Sequence, residues 1–442
     1  MECPVHRSFR VDQLAGLFDV PIAKKTRVEI SGEVPGLEEN WQIGAIVGPS
    51  GSGKSTIARK IYGKALCQGF KWPADKAVID GFGEHGVKEI AAALNAVGFS
   101  SPPSWLRPYP VLSNGEKFRA DLARALLLDA PVVAYDEFTS VVDRTVAKIG
   151  SAAVAKAVRR GSGAKRFVAV TCHYDVLEWL EADWVLNMAS AQLARGRLRR
   201  PEIRLEIAKI HGGAWELFRR HHYLSTSIQN SATCFAAFWG ETPVAFSAWV
   251  NRGATGAAAC NARDRREHRT VVLPDFQGVG IGNGVSEWCA SLWRATGVKA
   301  MSTTSHPGMI HHRSRSPLWR RIRLGLPSRH PRPIERESGL RAGSSWNRLT
   351  AGFEYVGPAM DRAEAEAILA QRPGVFIHRP AVRRVLELVG RYPGISAGGL
   401  AKLIDGTTSL VRAALAELIE AGEVVRVGAG GAGGRQFGHF PS

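Results

Sequence analysis

The chain has 442 residues, too many for one ordinary core, so several domains are expected; at 45% hydrophobic it is globular rather than disordered. Its formal net charge of +18 favours an anionic partner, whether nucleic acid, an acidic surface, a nucleotide or an acyl-CoA. No apolar run approaches the ~20 residues of a membrane span, residues 1–20 lack a signal-peptide pattern, and six cysteines without a CxxC pair argue against zinc, so a cytoplasmic protein with reduced thiols and no pore of its own is expected.

In chain order, Thr26–Gly32 and Trp41–Val47 read as strands leading to Gly48-Pro49-Ser50-Gly51-Ser52-Gly53-Lys54-Ser55-Thr56. A glycine, four residues, then Gly-Lys-Ser between a strand and a helix is a phosphate-binding loop. Its glycines turn backbone N–H groups inward, and the helix N-terminus adds partial positive charge. Lys54 would reach the outer phosphates, and the Ser55 hydroxyl would meet Mg²⁺. Leu112-Ser113-Asn114-Gly115-Glu116-Lys117 then opens a helix running through Leu128. Val132–Glu137 is a buried strand ending in two carboxylates, and Phe167–Thr171 is another, ending at Cys172-His173. Asp136 is placed to hold the Mg²⁺ shell, Glu137 to polarise an attacking water, and His173 to meet the γ-phosphate. Singly, a carboxylate pair also serves as a helix cap and a strand-end histidine as structure; the ordered set carries the reading.

That set resembles the ABC-type ATPases over residues 1–205. Walker A matches 48–56, the signature motif Leu112–Glu116, Walker B with its catalytic glutamate 132–137, the D-loop Ser140–Asp143, and the switch histidine His173. The resemblance implies ATP and Mg²⁺ as ligands, with Ser113 and Gly115 completing a nucleotide site on a second copy, hence a homodimer or a partner ATPase. Asn114 and Glu116 depart from the usual glycine and glutamine of the signature, and no Q-loop glutamine is recognised between Lys54 and Leu112. The short interval between those residues, with its unusual run Val97–Trp105, favours a soluble ATPase over a transporter subunit.

After the basic junction at Arg195–Arg200, residues 206–360 form a second segment. Trp215–Tyr223 reads as a helix, and Thr233–Trp239 with Thr242–Asn251 as a hairpin. The strand Thr270–Leu273, a glycine-rich loop and the helix Asn283–Thr296 make a second anion cradle, without the lysine and carboxylate that phosphoryl transfer needs. Gln277, Gly280 and Gly282 resemble the cofactor loop of the GNAT acyltransferases. The resemblance implies acetyl-CoA, with pantetheine along Val271 and Leu273 and pyrophosphate on Gln277, Gly278, Val279, Gly280, Ile281 and Gly282. His222-Tyr223-Leu224-Ser225 resembles the phage Mom branch, which modifies adenine in DNA. Tyr223 or His222 would handle the amine proton or the leaving thiol, or else cap and pack the preceding helix. Ser302, Ser305 and His306 are weaker candidates. Residues 311–341 carry Arg313, Arg315, Arg320, Arg321, Arg323, Arg329, Arg332, Arg336 and Arg341 around Trp319, suited to phosphate contact and base stacking or to a solvated loop.

Asp361–Gln371 reads as a connecting helix within a linker, 361–377. Residues 378–442 then offer three helices, Ala381–Tyr392, Ser396–Leu403 and Thr407–Ala421, and a glycine-tipped hairpin. This resembles a winged helix-turn-helix, in which Thr407–Ala421 would read DNA. The expected fold class is multidomain α/β: an ABC-type P-loop ATPase domain, a GNAT domain and a small winged helix, an order that resembles a known ATPase–acetyltransferase fusion family. The expected function is ATP hydrolysis with N-acyl transfer to a nucleic-acid base amine. A protein N-acetyltransferase regulated by its ATPase, or a nucleic-acid-binding ATPase with an inactive transferase, are the alternatives.

Overall fold

The computed structural model describes the chain except residues 1, 5, 23–24, 28–32, 162–164, 223–226, 252–263, 327–348, 374–378, 404–407, 421, 430–435 and 442. Contacts between Cα atoms divide it into two compact units, one of Met1–Phe70, Leu128–Val142 and Ala155–Arg200, the other of Lys71–Leu127, Asp143–Val154 and Pro201–Ser442. Elements are numbered in chain order.

The first unit is built on a six-stranded sheet. Its strands are β3 (Ile43–Val47), β4 (Leu66–Cys67), β5 (Val132–Tyr135), β6 (Arg166–Thr171), β7 (Trp184–Asn187) and β8 (Gln192–Arg195), in the order β4-β5-β6-β3-β7-β8. All pair in parallel except β8. Every residue of β3 and β5 is buried, which is why both read as unbroken apolar runs rather than as alternation. Gly44 is required in β3: a Cβ there would lie 2.1 Å from the Trp184 ring. Asp183 anchors the start of β3, accepting from the N–H groups of Gln42 and Ile43 at 2.8 and 2.9 Å and from Arg159 Nη2 at 2.9 Å. Helices α2 (Lys54–Tyr62) and α7 (Leu177–Leu180) and the last residues of α6 (Arg144–Arg160) also belong here. A separate ribbon pairs β1 (Glu2–Pro4) with β2 (Lys25–Arg27), flanking α1 (Phe9–Phe18).

The second unit begins with α3 (Val87–Ala96), α4 (Pro102–Trp105) and α5 (Asn114–Leu126). Trp72 stacks on Tyr109 with ring centroids 4.9 Å apart, and Asp121 of α5 accepts from both, from Trp72 Nε1 at 2.6 Å and Tyr109 Oη at 2.8 Å. Its seven-stranded sheet consists of β9 (Glu206–Ile210), β10 (Thr233–Trp239), β11 (Thr242–Asn251), β12 (Arg265–Val272), β13 (Ala300–Thr304), β14 (Trp319–Gly325) and β15 (Thr350–Tyr355). The order is β14-β15-β13-β12-β11-β10-β9, antiparallel except where β13 lies beside β12. That parallel pairing is confined to Arg265↔Ala300 and Arg266↔Met301. Beyond it β12 continues along β11 to Val272, while β13 turns to β15. The hairpin β10–β11 has the bounds expected from sequence. The expected helix Trp215–Tyr223 is shorter: α8 (Trp215–Phe218) passes into a 3₁₀ turn at Arg219–His221.

Helix α9 (Ile281–Ala295) packs on the sheet, and α10 (Pro307–Arg315) follows β13. From α10 the fully buried Arg313 pairs with buried Glu267 of β12 at 3.0 Å and donates to Ser286 Oγ of α9 at 2.7 Å. Burial pushes the Glu267 carboxyl up, but Arg313 and the hydroxyls of Ser302, Thr270 and Ser286 outweigh it and hold the pKa below the usual range. After α11 (Arg362–Ala370) come α12 (Arg379–Arg391), α13 (Ala397–Leu403), α14 (Thr408–Glu420) and the hairpin β16 (Val424–Ala429) with β17 (Gln436–Pro441). Val385, Leu388, Leu400, Val411 and Leu415 form their core.

Candidate functional site

In the first unit, parallel pairing brings distant loops to one edge. Val47 is the register partner of Thr171 and Tyr135 of Ala169, so the loop after β3, the carboxylates after β5 and His173 after β6 leave the sheet at the same end. Gly53 caps α2 in a left-handed conformation (φ +86°) with no side-chain cap, which leaves the first helical N–H groups for another acceptor. Lys54 is buried, and its Nζ donates to the Pro49 carbonyl at 2.8 Å. Ser52 Oγ is buried without a hydrogen-bond partner. Gly48 has no room for a side chain, because a Cβ would lie 2.8 Å from Met188 Cβ.

Ser55 Oγ donates to Asp136 Oδ1 at 2.9 Å, and Gln68 Nε2 donates to Asp136 Oδ2 at 3.0 Å. The sequence reading singles out no glutamine between Lys54 and Leu112, and Gln68 is a residue it misses beside Asp136. It directly follows β4, whose residues Leu66 and Cys67 pair with Ala134 and Tyr135 of β5, so it reaches the edge where Asp136 stands. The available signal was that it is the sole glutamine between Lys54 and Leu112.

Glu137 stands at φ +50° and Thr139 at φ +68°, a conformation that costs a non-glycine residue about 1–3 kcal/mol. The turn is held by Thr171 Oγ1, which donates to the Phe138 carbonyl at 2.8 Å, and by Ser140 Oγ, which donates to Glu137 Oε2 at 2.6 Å. His173 Nδ1 lies 3.1 Å from Thr139 Oγ1, so the histidine is tied to the same turn as the glutamate. The hydroxyl and carboxylate of Ser55 and Asp136 are hard oxygen donors that suit Mg²⁺. Among the described residues no group of three or more His, Cys, Asp or Glu side chains could hold a metal ion.

Ser113 and Gly115 belong to the second unit, at the start of α5. Ser113 is the N-cap, with a complete capping box: its Oγ accepts from Glu116 N at 3.3 Å and its N–H donates to Glu116 Oε2 at 2.9 Å. Glu116 Oε1 accepts from Ser104 Oγ at 2.7 Å. Glu116, where the sequence reading expects a glutamine by resemblance, therefore clamps Ser104 of the Val97–Trp105 run to α5.

The second anion cradle lies between β12 and α9. Gly278 (φ +94°) and Gly280 (φ +105°) are left-handed, and Gly280 caps α9 without a side-chain bond. A Cβ on Gly280 would meet open space, whereas one on Gly282 would touch Val272 at 3.1 Å. Val271 is core, clustered with Phe246 and Trp215, and Leu273 packs partly against the same cluster. Ile281 is buried and Val279 half-buried. The Gln277 amide is engaged at both ends: Nε2 donates to the Val272 carbonyl at 2.9 Å and Oε1 accepts from Ser100 N at 3.0 Å.

Of the other sequence candidates, His222 packs edge-on against buried Trp215, with centroids 5.7 Å apart. Tyr223 lies outside the described residues. Ser302 is buried and bonded to Glu267 and Arg313. Two members of the expected basic surface are withdrawn: Arg313 is consumed by Glu267, and Trp319 is buried edge-on against Tyr355, so it offers no face to a base. Arg320, Arg321 and Arg323 on β14 are exposed, while Arg329, Arg332, Arg336 and Arg341 lie outside the described residues.

No protein-family model and no curated protein matches the chain. Among solved structures it is similar to a post-hydrolysis dimer of the ATP-binding cassette MJ0796 bound to ADP and Pi, at 17% identity and a TM-score of 0.30, over 35% of this chain and 86% of that one. A second dimeric structure of MJ0796, a bacterial ABC transporter cassette, matches at 17% identity and a TM-score of 0.28, over 33% and 80% of the respective chains. No described helix is long and apolar enough to cross a membrane.

Proposed function

We propose that the chain is an ABC-type ATPase acting as a dimer, joined to an acetyl-CoA-dependent N-acyltransferase whose acceptor is a base amine of nucleic acid. The observation that carries the ATPase half is Asp136, bonded through one oxygen to Ser55 of the phosphate loop and through the other to Gln68. Lys54 and the N–H groups of residues 51–56 would bind the phosphates, with Ser55 and Asp136 on Mg²⁺ and Ser113 and Gly115 serving the site of the second copy. Mg²⁺, when bound, offsets the negative charge that gathers on the phosphate oxygens. Glu137 takes the proton of the attacking water, and its strained backbone fixes the direction of its carboxylate. His173, tied to the same turn, holds the γ-phosphate side of the site.

The acyltransferase reading draws support from the parting of β12 and β13, which leaves a wedge beside β12, and from the uncapped start of α9 at its end. This strand order, with one parallel pair that splits, resembles the GNAT fold. In acyl transfer the amine nitrogen attacks the thioester carbonyl, a C–N bond forms, the C–S bond breaks, and the amine proton passes by way of a protein base to the leaving thiolate. Tyr223 and His222 are the proposed groups for that proton. The exposed arginines of β14 and the net charge of +18 favour a nucleic-acid acceptor. The three-helix and hairpin arrangement at 379–441 resembles a winged helix that would add a second contact. A base amine is hidden in a duplex, so strand opening driven by dimer closure would expose it. Incubation with ATP, acetyl-CoA and DNA or RNA should yield nucleosides heavier by one acetyl group on mass spectrometry. Mass gain confined to protein amines would instead establish a protein N-acetyltransferase.

A further inference from the structure

The run Val97–Trp105 and the glycine loop before α9, far apart in sequence, are in direct backbone contact within the second unit. Gly98 is left-handed (φ +83°), and a Cβ there would sit 2.5 Å from the Gln277 carbonyl oxygen. Gly278 (φ +94°) meets it from the other side, where a Cβ would lie 2.8 Å from Gly98 Cα. Neither chain leaves room for a side chain, and both backbone conformations are ones that L side chains rarely adopt. Next to this contact, Gln277 spans from the Val272 carbonyl on β12 to the Ser100 N–H. One glutamine therefore fastens the loop both to its own strand and to the helical region that carries the signature motif.

A second connection runs alongside. Arg119, in the second turn of α5 from its capped end, is 1% exposed, and its Nη1 lies 3.9 Å from Oδ1 of half-exposed Asp275. Its Nε and Nη2 are buried with no hydrogen-bond partner. Burial pulls the guanidinium down to about 10, opposed by the nearby carboxylates of Asp275, Glu116 and Asp143. A buried cation with one long ion pair and two idle donors is costly, and a small shift that supplied another acceptor would repay it. Asp275 also faces the signature glycine itself: a Cβ on Gly115 would lie 3.4 Å from Asp275 Oδ1.

We propose that Asp275 and Gln277 are positioning residues through which nucleotide at the signature motif sets the geometry of the Gly278–Gly280 loop, so that ATP and acyl-CoA affinities are coupled. The proposal rests on the reading of that loop as the acyl-CoA site. Nucleotide engages the N-terminal end of α5 through Ser113 and Gly115. Asp275 sits against the first turn of α5, so a displacement there is passed on rather than absorbed, because close-packed contacts do not deform continuously. Reciprocity then requires acyl-CoA to change nucleotide affinity by the same factor.

Calorimetric titration of the full chain with acetyl-CoA, with and without Mg²⁺ and the non-hydrolysable analogue AMP-PNP, tests this. Acetyl-CoA affinity is expected to change by about fivefold or more with AMP-PNP, and AMP-PNP affinity by the same ratio with acetyl-CoA. Asp275→Asn keeps the side-chain shape and removes its charge; it should bind each ligand alone within about twofold of the parent and bring that ratio close to one. Equal acetyl-CoA affinity with and without AMP-PNP in the parent chain overturns the coupling and leaves the acyl-CoA reading intact. Absence of acetyl-CoA binding in both nucleotide states overturns that reading and the coupling with it. An unchanged ratio in a folded Asp275→Asn protein overturns the role given to Asp275.

Discussion

Ser55 donates its hydroxyl hydrogen to Asp136 across 2.9 Å, joining the helix after the phosphate loop to the end of a strand 81 residues further along the chain. The second carboxylate oxygen is held by Gln68, so Asp136 presents one orientation to whatever the loop binds. If Asp136 serves Mg²⁺ as proposed, removing such an orienting partner costs roughly 10- to 100-fold in activity. Gln68→Ala should lower the ATPase kcat by that amount in a coupled phosphate-release assay while ATP affinity stays near the parent value. An unchanged kcat would show that the glutamine is structural.

Glu137→Gln removes the proposed base but preserves the side-chain shape and the Ser140 contact. Loss of a general base costs about 10²–10⁴ in rate. The variant should bind ATP, fail to turn it over and accumulate as an ATP-bound dimer, visible as a doubling of mass in light scattering. Hydrolysis at the parent rate would remove Glu137 from the mechanism.

Gly280 occupies a left-handed position next to open space, so a side chain there is strained by about 1–2 kcal/mol and also enters the region assigned to pyrophosphate. Gly280→Val should weaken acetyl-CoA binding by about tenfold or more, a loss of roughly 1.4 kcal/mol. ATP binding should be unaffected. Loss of both ligands together would mean that the two sites are not separate.

Arg313 and Glu267 bind the sheet, α9 and α10 together from within the core. Removing one partner of a buried ion pair typically costs about 3–5 kcal/mol, because the other charge is left stranded. Arg313→Ala should therefore lower the urea midpoint sharply. The double change Arg313→Met with Glu267→Gln should recover part of the loss, since the stranded charge is gone.

His268 on β12 is pulled down to about 4 by burial, with Arg269 and Arg266 adding repulsion. Its folded pKa is thus below the ordinary 6.5, so the unfolded chain takes up the proton first as pH falls. The stability it contributes is complete above about pH 6.5 and is lost progressively down to about pH 4. Thermal melts of His268→Asn across this window should show a flatter acid limb than the parent chain; an identical slope would place the acid sensitivity elsewhere.

Much was legible where the chemistry is local. The strand, glycine-rich turn and helix at 43–62, the two carboxylates after an apolar strand and the hairpin Thr233–Asn251 each consist of neighbours in sequence whose residue types dictate their conformation. Gln68 was not legible, because its place beside Asp136 depends on parallel pairing of β4 with β5, and a glutamine before a glycine has no signature of its own. Arg313 and Trp319 were misplaced for a related reason: charge and aromaticity in a basic run say nothing about which side chains turn inward, and Glu267, which captures Arg313, lies 46 residues earlier.

The sequence by itself determined the strand, glycine-rich turn and helix at 43–62, since glycines, a lysine and a serine at fixed spacing follow an apolar run and open a helix. Only the tertiary structure decided that the run Val97–Trp105 lies against the loop before α9. That contact needs two left-handed glycines, Gly98 and Gly278, to meet across 180 residues of chain, and the packing that brings two backbones into van der Waals contact is a property of the folded unit, not of either segment.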